Sequence, residues 1–471
     1  MSIPPAAGFP NETWLEILEC LPRSHLKRVA STSKRFLALS RPLLFKNINV
    51  KLCYEAYAVP RATALPSKLG LLEEKLRLFT SVEIARSVRN LVVRCACRQH
   101  RQPSPSSGVE PSCNALASLL FLHLPQFHAV KYLELSFLVL EADNIARLQL
   151  LPSLKHLYIS FDNRELNPLH GDVPMVSVPS ASLDLSVRHE SPAGRTARES
   201  PSLLRFLDML DPGTLRKLEV YCSHSAPKDM ARITRFSGLQ LLAIHAIDSE
   251  FDTISFEFGA LTPDTFPQLH ELEIHGTNLP DSLLVNCPLR KLHVESNDLF
   301  AYMPHWHEAS CAKILELELD RLPLSLGDLE SLERFSSLKK LSIDLNIDQD
   351  CFDNGRYTIA EPCFRVHWSG FRLSVYPDFA DPESQAAKQL QSLISNTPFW
   401  CALLESILVR CPDLRHIWME TYDLPPRGSS TFNWRRAEDG TAHMEFSQDP
   451  EIVDEMQEAE WERKTRNKAR W

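Results

Sequence analysis

The chain has 471 residues, of which 44% are hydrophobic, so it is long enough to bury a large core in two or three folded units. Its formal net charge of −9 gives no general attraction to nucleic acid or to acidic lipid, and we expect neither as a partner. No window approaches about 18 uninterrupted apolar residues, and the N-terminus lacks a charged segment followed by an apolar run. We therefore expect no membrane span, no secretory signal, and a cytoplasmic or nuclear location.

The residues from 9 to 48 predict three short helices in quick succession. The first carries an apolar stripe at positions i, i+3, i+4 and i+7, which are Trp14, Ile17, Leu18 and Leu21. Three residues with side chains favoured at helix N-caps precede or open these helices: Asn11, Ser24 and Ser33. The second and third helices carry shorter apolar faces, which include Leu26, Val29, Phe36 and Leu37.

This helical stretch is too small to bury all of its apolar groups. Domains of about 40 residues usually need a disulfide, a metal ion or a partner to be stable alone. Cys20 is the only cysteine of the stretch, so it can form neither a local disulfide nor a cysteine-rich metal site. We therefore expect another polypeptide to cover the remaining apolar face. The alternative is a small amphipathic bundle that packs against its own chain.

The order and spacing of these residues resemble an F-box, the module by which substrate receptors of SCF-type cullin-RING ubiquitin ligases dock on a small Skp-type adaptor. The positions that match the family pattern are Pro10, Glu12, Ile17, Leu18, Leu21, Leu26, Ser33, Phe36, Leu44 and Phe45. The chain departs from the pattern at Phe9, Thr13, Ser31 and Thr32, where leucine or another aliphatic residue is common. These departures weaken the apolar face of the second helix.

The resemblance implies a docking unit over residues 1–50 and a set of residues that contact the adaptor. This set is Pro10, Glu12, Trp14, Ile17, Leu18, Leu21, Leu26, Val29, Phe36, Leu44 and Phe45. Residues 51–87 then predict a helical connector, because Leu69, Leu72, Leu76 and Phe79 keep a helical period between charged residues. Such a connector would set the orientation of the docking unit relative to the rest of the chain.

A short signature, apolar-x-x-Leu-x-apolar, recurs from residue 88 onward. Its central positions are Leu91, Leu133, Leu157, Leu218, Leu242, Leu272, Leu292, Leu317, Leu341 and Ile417. The separation from 133 to 157 and from 218 to 242 is 24 residues, within the range of about 20–29 that is typical of leucine-rich repeats. No asparagine ladder follows the strands, so the repeat is degenerate. It resembles the irregular leucine-rich repeats that follow F-boxes.

The predicted fold class is therefore α/β. A small all-α unit would precede an irregular leucine-rich-repeat solenoid over residues 88–430, with parallel strands on a concave face and helices or loops outside. Helices are predicted at 114–122, 201–210, 326–335 and 382–394. Insertions interrupt the period near 98–112, 163–200 and 345–380, the last two with weaker strand patterns at 183–187 and 364–368. Residues 431–471 form a tail in which Asp449 and Pro450 open a charged C-terminal helix, or a basic localisation patch at 464–470.

The sequence offers little that predicts catalysis. It contains neither a glycine-rich phosphate loop nor a Gly-x-Ser-x-Gly nucleophile elbow, and only 14 glycines. Its twelve cysteines form no Cys-x-x-Cys pair, and we expect them to be reduced, mostly buried thiols. Cys95, Cys97 and His100 have partial metal-ligand spacing, but their position after a strand favours core or edge thiols. We expect no enzyme, no cofactor and no metal site.

The strand positions that point away from the core form a second candidate surface. Acidic residues outnumber basic ones there from the fifth coil onward. We expect this face to hold a basic segment of a target protein, with tyrosine and tryptophan as anchors. The candidate target-binding residues are Tyr158, Tyr221, Glu273, His275, Glu295, Glu318, Asp344 and Trp418. The alternative is an ordinary solvated strand face.

These expectations combine into one functional hypothesis and two alternatives. The resemblance implies a substrate-receptor subunit that docks on a Skp-type adaptor, and through it on a cullin-RING ligase, while the repeats hold an unknown protein target. One alternative is a leucine-rich-repeat scaffold that acts independently of ubiquitin ligation. The other is an enzyme with a site in the insertions, since triads assemble from distant residues. The fold and the docking module do not specify the target.

Overall fold

A computed structural model of the protein describes most of the N-terminal two thirds of the chain and the strands that follow. The described residues are 9–52, 65–95, 113–136, 138, 140, 142–160, 174–185, 203–222, 230–246, 258, 260–276, 281–295, 306–322, 334–348, 370–378, 416–422, 429–436 and 442–449. The chain divides into two compact units, Met1–Leu239 and Gln240–Trp471. No helix among these residues has both the length and the apolar character needed to cross a bilayer.

The first unit begins with the three predicted helices: α1 (Asn11–Glu19), α2 (Arg23–Ala30) and α3 (Lys34–Leu44). Ser33 caps α3 as predicted, since its hydroxyl accepts the backbone N–H of Phe36 at 3.1 Å. The other two cap predictions are wrong. Helices α1 and α2 follow Pro10 and Pro22, while the Asn11 side chain accepts hydrogen bonds from Arg35 at 2.9 and 3.1 Å.

Helix α3 is the centre of this helical unit, because it packs against both α1 and α2. Leu18 and Leu26 are buried between the helices, with 1% and 6% of their surface exposed. The rings of Trp14 and Phe36 make an edge-to-face contact between α1 and α3, with centroids 4.9 Å apart. The apolar stripe of α1 is therefore split, with Leu18 in the core and Ile17 at the surface.

The predicted connector is helical, as expected, and contacts the end of α3. It consists of α4 (Leu65–Phe79) and α5 (Val82–Ala85). The rings of Phe45 and Phe79 lie 6.2 Å apart, and Arg41 of α3 forms an ion pair with Glu83 of α5. These contacts hold the three N-terminal helices against the connector.

Six strands follow in the first unit: β1 (Asn47–Lys51), β2 (Asn90–Arg94), β3 (Tyr132–Ser136), β4 (His156–Ser160), β5 (Ser180–Leu185) and β6 (Lys217–Cys222). Each pairs in parallel with the next. The segments between them include α6 (Cys113–His123), α7 (Ala142–Leu148) and the 3-10 helices Leu124–Gln126 and Leu203–Met209, and a further 3-10 helix, Ala231–Arg235, follows β6. Helices of successive coils touch each other, α4 against α6 and α6 against α7.

The second unit repeats this arrangement with seven parallel strands: β7 (Leu241–Ala246), β8 (Glu271–His275), β9 (Lys291–Glu295), β10 (Glu316–Leu322), β11 (Lys340–Asp348), β12 (Gly370–Asp378) and β13 (His416–Tyr422). Helices α8 (Asp281–Asn286) and α9 (Glu308–Cys311) lie between strands of this unit. Two antiparallel strands, β14 (Ser429–Arg436) and β15 (Ala442–Asp449), complete the sheet of this unit.

The register places the central residues of the signature directly opposite one another. In the first unit Leu91, Leu133, Leu157, Ala181 and Leu218 form one row, and in the second Leu242, Leu272, Leu292, Leu317 and Leu341 form another. All of these side chains are buried. The fold is therefore an α/β solenoid of the leucine-rich-repeat type, which confirms the predicted fold class.

A recurring backbone contact fixes this register. The carbonyl just before a strand accepts two N–H groups at the start of the next strand, at 2.7–3.1 Å. The acceptors are Lys46, Arg89, Lys131 and Pro179 in the first unit, and Gln240, His270, Arg290 and Leu315 in the second. Because this contact aligns the first residues of neighbouring strands, the apolar residues that follow in each strand also lie opposite one another.

Several boundaries differ from the prediction. Strand β1 lies within the segment assigned to the helical unit, and the sheet continues past 430 through β14 and β15. The helix predicted at 114–122 is α6, whereas 201–210 holds the 3-10 helix Leu203–Met209. Strand β5 confirms the weaker pattern near 183–187. The strand predicted at 364–368 lies outside the described residues, and the next described strand, β12, begins at Gly370.

Some predictions lie outside the described residues. They are the loop at 98–112, the helix at 382–394, nearly all of the helix at 326–335, and the charged C-terminal helix from 450 onward. Asp449, expected to cap that last helix, is the final residue of β15.

Leu18→Ala should destabilise the helical unit by about 2–5 kcal/mol, because it removes a fully buried side chain and leaves a cavity. The neighbouring change Ile17→Ala should cost less than about 1 kcal/mol, because Ile17 is 41% exposed. Hydrogen exchange of peptides from residues 9–48 measures both. Equal loss of protection in the two variants would contradict the assignment of Leu18 to the core.

Candidate functional site

The first candidate surface is an apolar cluster on the helical unit. We call it the Trp14 cluster and define it as Phe9, Trp14, Ile17 and Phe36. Phe9 and Trp14 meet edge to face at 5.7 Å, and Trp14 meets Phe36 at 4.9 Å. Phe9 is 56% exposed, and Ile17 lies one helical turn beyond Trp14 on α1. The main-chain carbonyl of Phe9 accepts a hydrogen bond from Arg35 at 2.9 Å, which holds Phe9 against α3.

The structure separates the eleven predicted adaptor-binding residues by exposure. Pro10, Glu12 and Ile17 are exposed, and Trp14, Leu21, Val29, Phe36, Leu44 and Phe45 are half-buried. Leu18 and Leu26 are buried in the helical core, so neither offers a surface anchor, and their inclusion is corrected. Phe9 and Leu37 are exposed apolar residues that the predicted set did not include. Their apolar character was visible in the sequence, but their exposure was not.

The strand face of the first unit is a connected set of polar side chains. Glu134 accepts hydrogen bonds from Arg94 at 2.8 Å and from Ser136 at 3.0 Å. Tyr158, predicted to be a target anchor, is buried and donates to Asp184 at 2.9 Å. Tyr158 therefore supports the strand face from within, and its role as an exposed anchor is corrected.

His156 and Glu219 lie at the centre of this face. Ser180 and Ser182 hydrogen-bond to the two ring nitrogens of His156 at 2.8 and 3.2 Å. Burial lowers the pKa of His156, and the opposing charge of Glu219 offsets this only in part. Burial alone would raise the pKa of Glu219, but hydrogen bonds from Lys217 and Ser182 outweigh it and lower the pKa. Half-buried Tyr221, also a predicted anchor, donates to Glu219 at 3.4 Å.

The strand face of the second unit is acidic. Glu273, His293 and Glu318 stand opposite one another on β8, β9 and β10, and all three are half-buried. Lys291 forms an ion pair with Glu271, and Lys340 forms one with Glu316. Burial would lower the pKa of Lys291, but the hydrogen bond and charge of Glu271, with the charges of Glu318 and Glu273, raise it. The negative groups therefore dominate the potential around β8–β10.

Histidines cluster at the same place. His275 stacks on His245 with centroids 4.3 Å apart and meets His293 edge-on at 4.6 Å. Its Nδ1 lies 2.7 Å from the Glu295 carboxylate. One ligand atom from each of His245, Glu273 and His275 lies within 4.8 Å of the others, a distance at which the three could hold a metal ion.

The structure does not describe the side chains of the last two predicted target-binding residues, Asp344 and Trp418. Asp344 is in β11 opposite Ser374, and Trp418 is in β13 between Arg372 and Asn433. Their backbone positions place them in the same sheet as Glu318.

Five cysteines whose side chains the structure describes form no disulfide: Cys20, Cys95, Cys222, Cys287 and Cys311. Burial raises the pKa of Cys287 to about 12 and that of Cys311 to about 11, and it also raises the pKa of Cys222. These three thiols stay protonated at neutral pH and are therefore poor nucleophiles. Cys95 is buried, while Cys97 and His100 lie outside the described residues.

No protein-family model and no curated protein matches the chain. Among solved structures, one described as the crystal structure of a TLR13–ssRNA13 complex aligns with a TM-score of 0.21 and 14% identity. The alignment covers 64% of this chain, which spans about half (53%) of that protein's length. The repeat class rests on the strand register described above.

Lowering the pH from 7.5 to 5.5 should loosen β4 and β5. The folded pKa of His156 is below its ordinary value of 6.5, so the unfolded state binds more protons in this window, and stability decreases as the pH is lowered. The slope contributed by one such group is at most about 1.4 kcal/mol per pH unit. Hydrogen exchange of β4 and β5 peptides, corrected for the intrinsic effect of pH, measures it.

His156→Gln should flatten this pH dependence, whereas His128→Gln should leave it intact. His128 is an exposed histidine of the same unit and serves as the control. Identical pH dependence in the wild type and in His156→Gln would contradict the prediction.

Proposed function

We propose that this chain is the substrate-recognition subunit of an SCF-type ubiquitin ligase. The observation that carries the proposal is the Trp14 cluster, an apolar cluster with exposed Phe9 and Ile17 and half-buried Trp14 and Phe36, on a three-helix unit whose residue order resembles an F-box. Single exposed apolar residues are common on protein surfaces, but a connected group of them marks an interaction surface. The occupant we propose is a Skp-type adaptor.

The energetics of docking follow from the exposure of this cluster. Burying one large apolar side chain contributes about 1.5–3 kcal/mol, so Phe9, Ile17 and the exposed part of Trp14 supply several kcal/mol before the cost of association. Leu18 and Leu26 act indirectly, because they hold α1 and α2 against α3 and so keep the cluster in place.

The connector fixes the orientation of the helical unit relative to the helices that follow it. Contacts of Phe45 with Phe79 and of Arg41 with Glu83 join the end of α3 to α4 and α5. In the proposed complex, the helical unit would dock on the adaptor, and the connector would hold the repeats of the first unit in a fixed orientation relative to it. The chain would then act by proximity, raising the effective concentration of a bound target near the ligase without performing chemistry itself.

For the target, we propose the acidic strand face of the second unit. Glu273, Glu295 and Glu318 are half-buried on adjacent strands and would attract a basic segment. The polar groups of the first unit, in contrast, are largely engaged with one another. Electrostatic complementarity of this kind gives specificity and a fast association rate more than affinity.

The test is binding of purified Skp-type adaptor to Ile17→Asp. A charge at this exposed position should weaken binding at least tenfold, which corresponds to about 1.4 kcal/mol, without unfolding the helical unit. The matched control is Val285→Asp, which places the same charge on an exposed aliphatic residue of α8 in the second unit. Leu18→Asp is unsuitable, because a buried charge would disrupt the helices themselves.

Unchanged adaptor binding by Ile17→Asp, with the Val285→Asp control also unchanged, would refute the docking assignment. Adaptor binding without cullin in the same complex would instead favour a scaffold that acts independently of ubiquitin ligation. Proximity labelling in cells with the wild type and with Ile17→Asp would then separate adaptor-dependent neighbours from targets of the repeats.

A further inference from the structure

Three adjacent strands of the second unit place their histidines on one patch of the strand face. His245 of β7 stands opposite His275 of β8, and His275 stands opposite Glu295 of β9. Glu273, two residues before His275 on the same strand, points to the same side and stands opposite His293. The parallel register therefore brings imidazoles and carboxylates together although they are 20 to 30 residues apart in the chain.

The ring of His275 is held in one orientation. Its Nδ1–H donates to the Glu295 carboxylate at 2.7 Å, because a carboxylate can only accept. Gly276, in a left-handed conformation with φ 67°, follows directly and donates its N–H to the carbonyl of Glu295 at 2.7 Å. Side chain and main chain together thus tie the end of β8 to the end of β9.

This contact does not use the other nitrogen of His275, Nε2. The Nε2 atom is buried and is the one buried side-chain polar atom without a hydrogen-bond partner among the described residues. A buried polar atom without a partner is unfavourable, so it needs compensation. With the proton on Nδ1, the Nε2 lone pair is available to a Lewis acid.

The side chains around His275 carry further donor atoms that could bind a metal ion. Ligand atoms of His245, Glu273 and His275 lie within 4.8 Å of one another, and all three side chains are half-buried. In a tetrahedral zinc site with bonds of about 2.0–2.1 Å, ligand atoms are about 3.3 Å apart, so small side-chain rotations would close the set. The carboxylate that orients His275 matches the outer-shell pattern of metal-bound histidines.

We propose that His245, Glu273 and His275 bind a divalent transition metal ion of the zinc class, with Glu295 orienting His275. Two imidazoles and one carboxylate are a donor set that suits Zn²⁺ and leaves a fourth position for water or a ligand from a partner. The surrounding Glu271, Glu318 and Glu295 add negative charge that favours a cation. This inference goes beyond the receptor role and does not depend on it.

The competing account is a metal-free stack of His245 and His275, held by the Glu295 hydrogen bond alone. It predicts weak Zn²⁺ binding that does not depend on His245 or Glu273. The two accounts therefore differ in a measurable quantity.

The experiment measures Zn²⁺ affinity and stoichiometry of the purified full chain, stripped of metal, by competition with a chromophoric chelator at pH 7.5. The wild type should bind one more tight Zn²⁺ ion than His245→Ala, His275→Ala or Glu273→Gln, each of which should weaken this site by about 100-fold or more. Glu295→Gln should weaken it by about 10- to 100-fold, as expected for an outer-shell partner. The number of bound Zn²⁺ ions is compared between the wild type and each variant because the chain has 17 histidines and 12 cysteines, which can bind Zn²⁺ elsewhere.

The matched control is His270→Ala, an exposed histidine just before β8, which should bind Zn²⁺ as the wild type does. Zn²⁺ should also raise the melting temperature of the wild type and of His270→Ala but not of His245→Ala. Circular dichroism tests whether each variant folds. If His275→Ala does not fold, the Zn²⁺ affinities of His245→Ala and Glu273→Gln decide the result. Equal affinity and stoichiometry in the wild type and in both of these variants would overturn the proposal.

Discussion

The alignment of buried apolar side chains from one coil to the next is the interaction on which the rest of this structure depends. Most coils contribute a central leucine, such as Leu133 or Leu272, that no single coil of about 24 residues could bury alone. At about 1.5–3 kcal/mol for each large apolar side chain, the stacked rows are the main favourable term. The carbonyl that accepts two N–H groups at the entry to each strand keeps these rows in register.

The same register decides the chemistry of the opposite face. Because side chains alternate along a strand, alignment of the leucines also aligns the polar residues between them. In the first unit this produces hydrogen-bonded groups such as His156 with Ser180 and Ser182. In the second it concentrates carboxylates and imidazoles around His275. Two surfaces of different chemical character thus arise from the same packing of leucines.

In the helical unit, neighbouring apolar residues differ in whether they are buried in the core or exposed at the surface. Ile17 and Leu18 belong to the same apolar stripe, yet one is exposed and the other is buried, because α3 covers only part of the stripe. The uncovered part, with Phe9 and Trp14, is what makes docking by another polypeptide a physically motivated proposal. Contacts between α3 and the connector then fix the orientation of that surface relative to the connector.

The sequence by itself determined ten of the strand centres, the three N-terminal helices, helix α6 and the Ser33 cap, because these features follow from local periodicity and backbone hydrogen bonding. Only the tertiary structure decided the burial of Leu18 and Tyr158, the early strand β1, the antiparallel end of the sheet, and the meeting of His245, Glu273 and His275. The reason is physical. Whether a residue is covered, and which side chains it meets, depends on segments that are distant in the chain, and the local pattern of one segment carries no information about them.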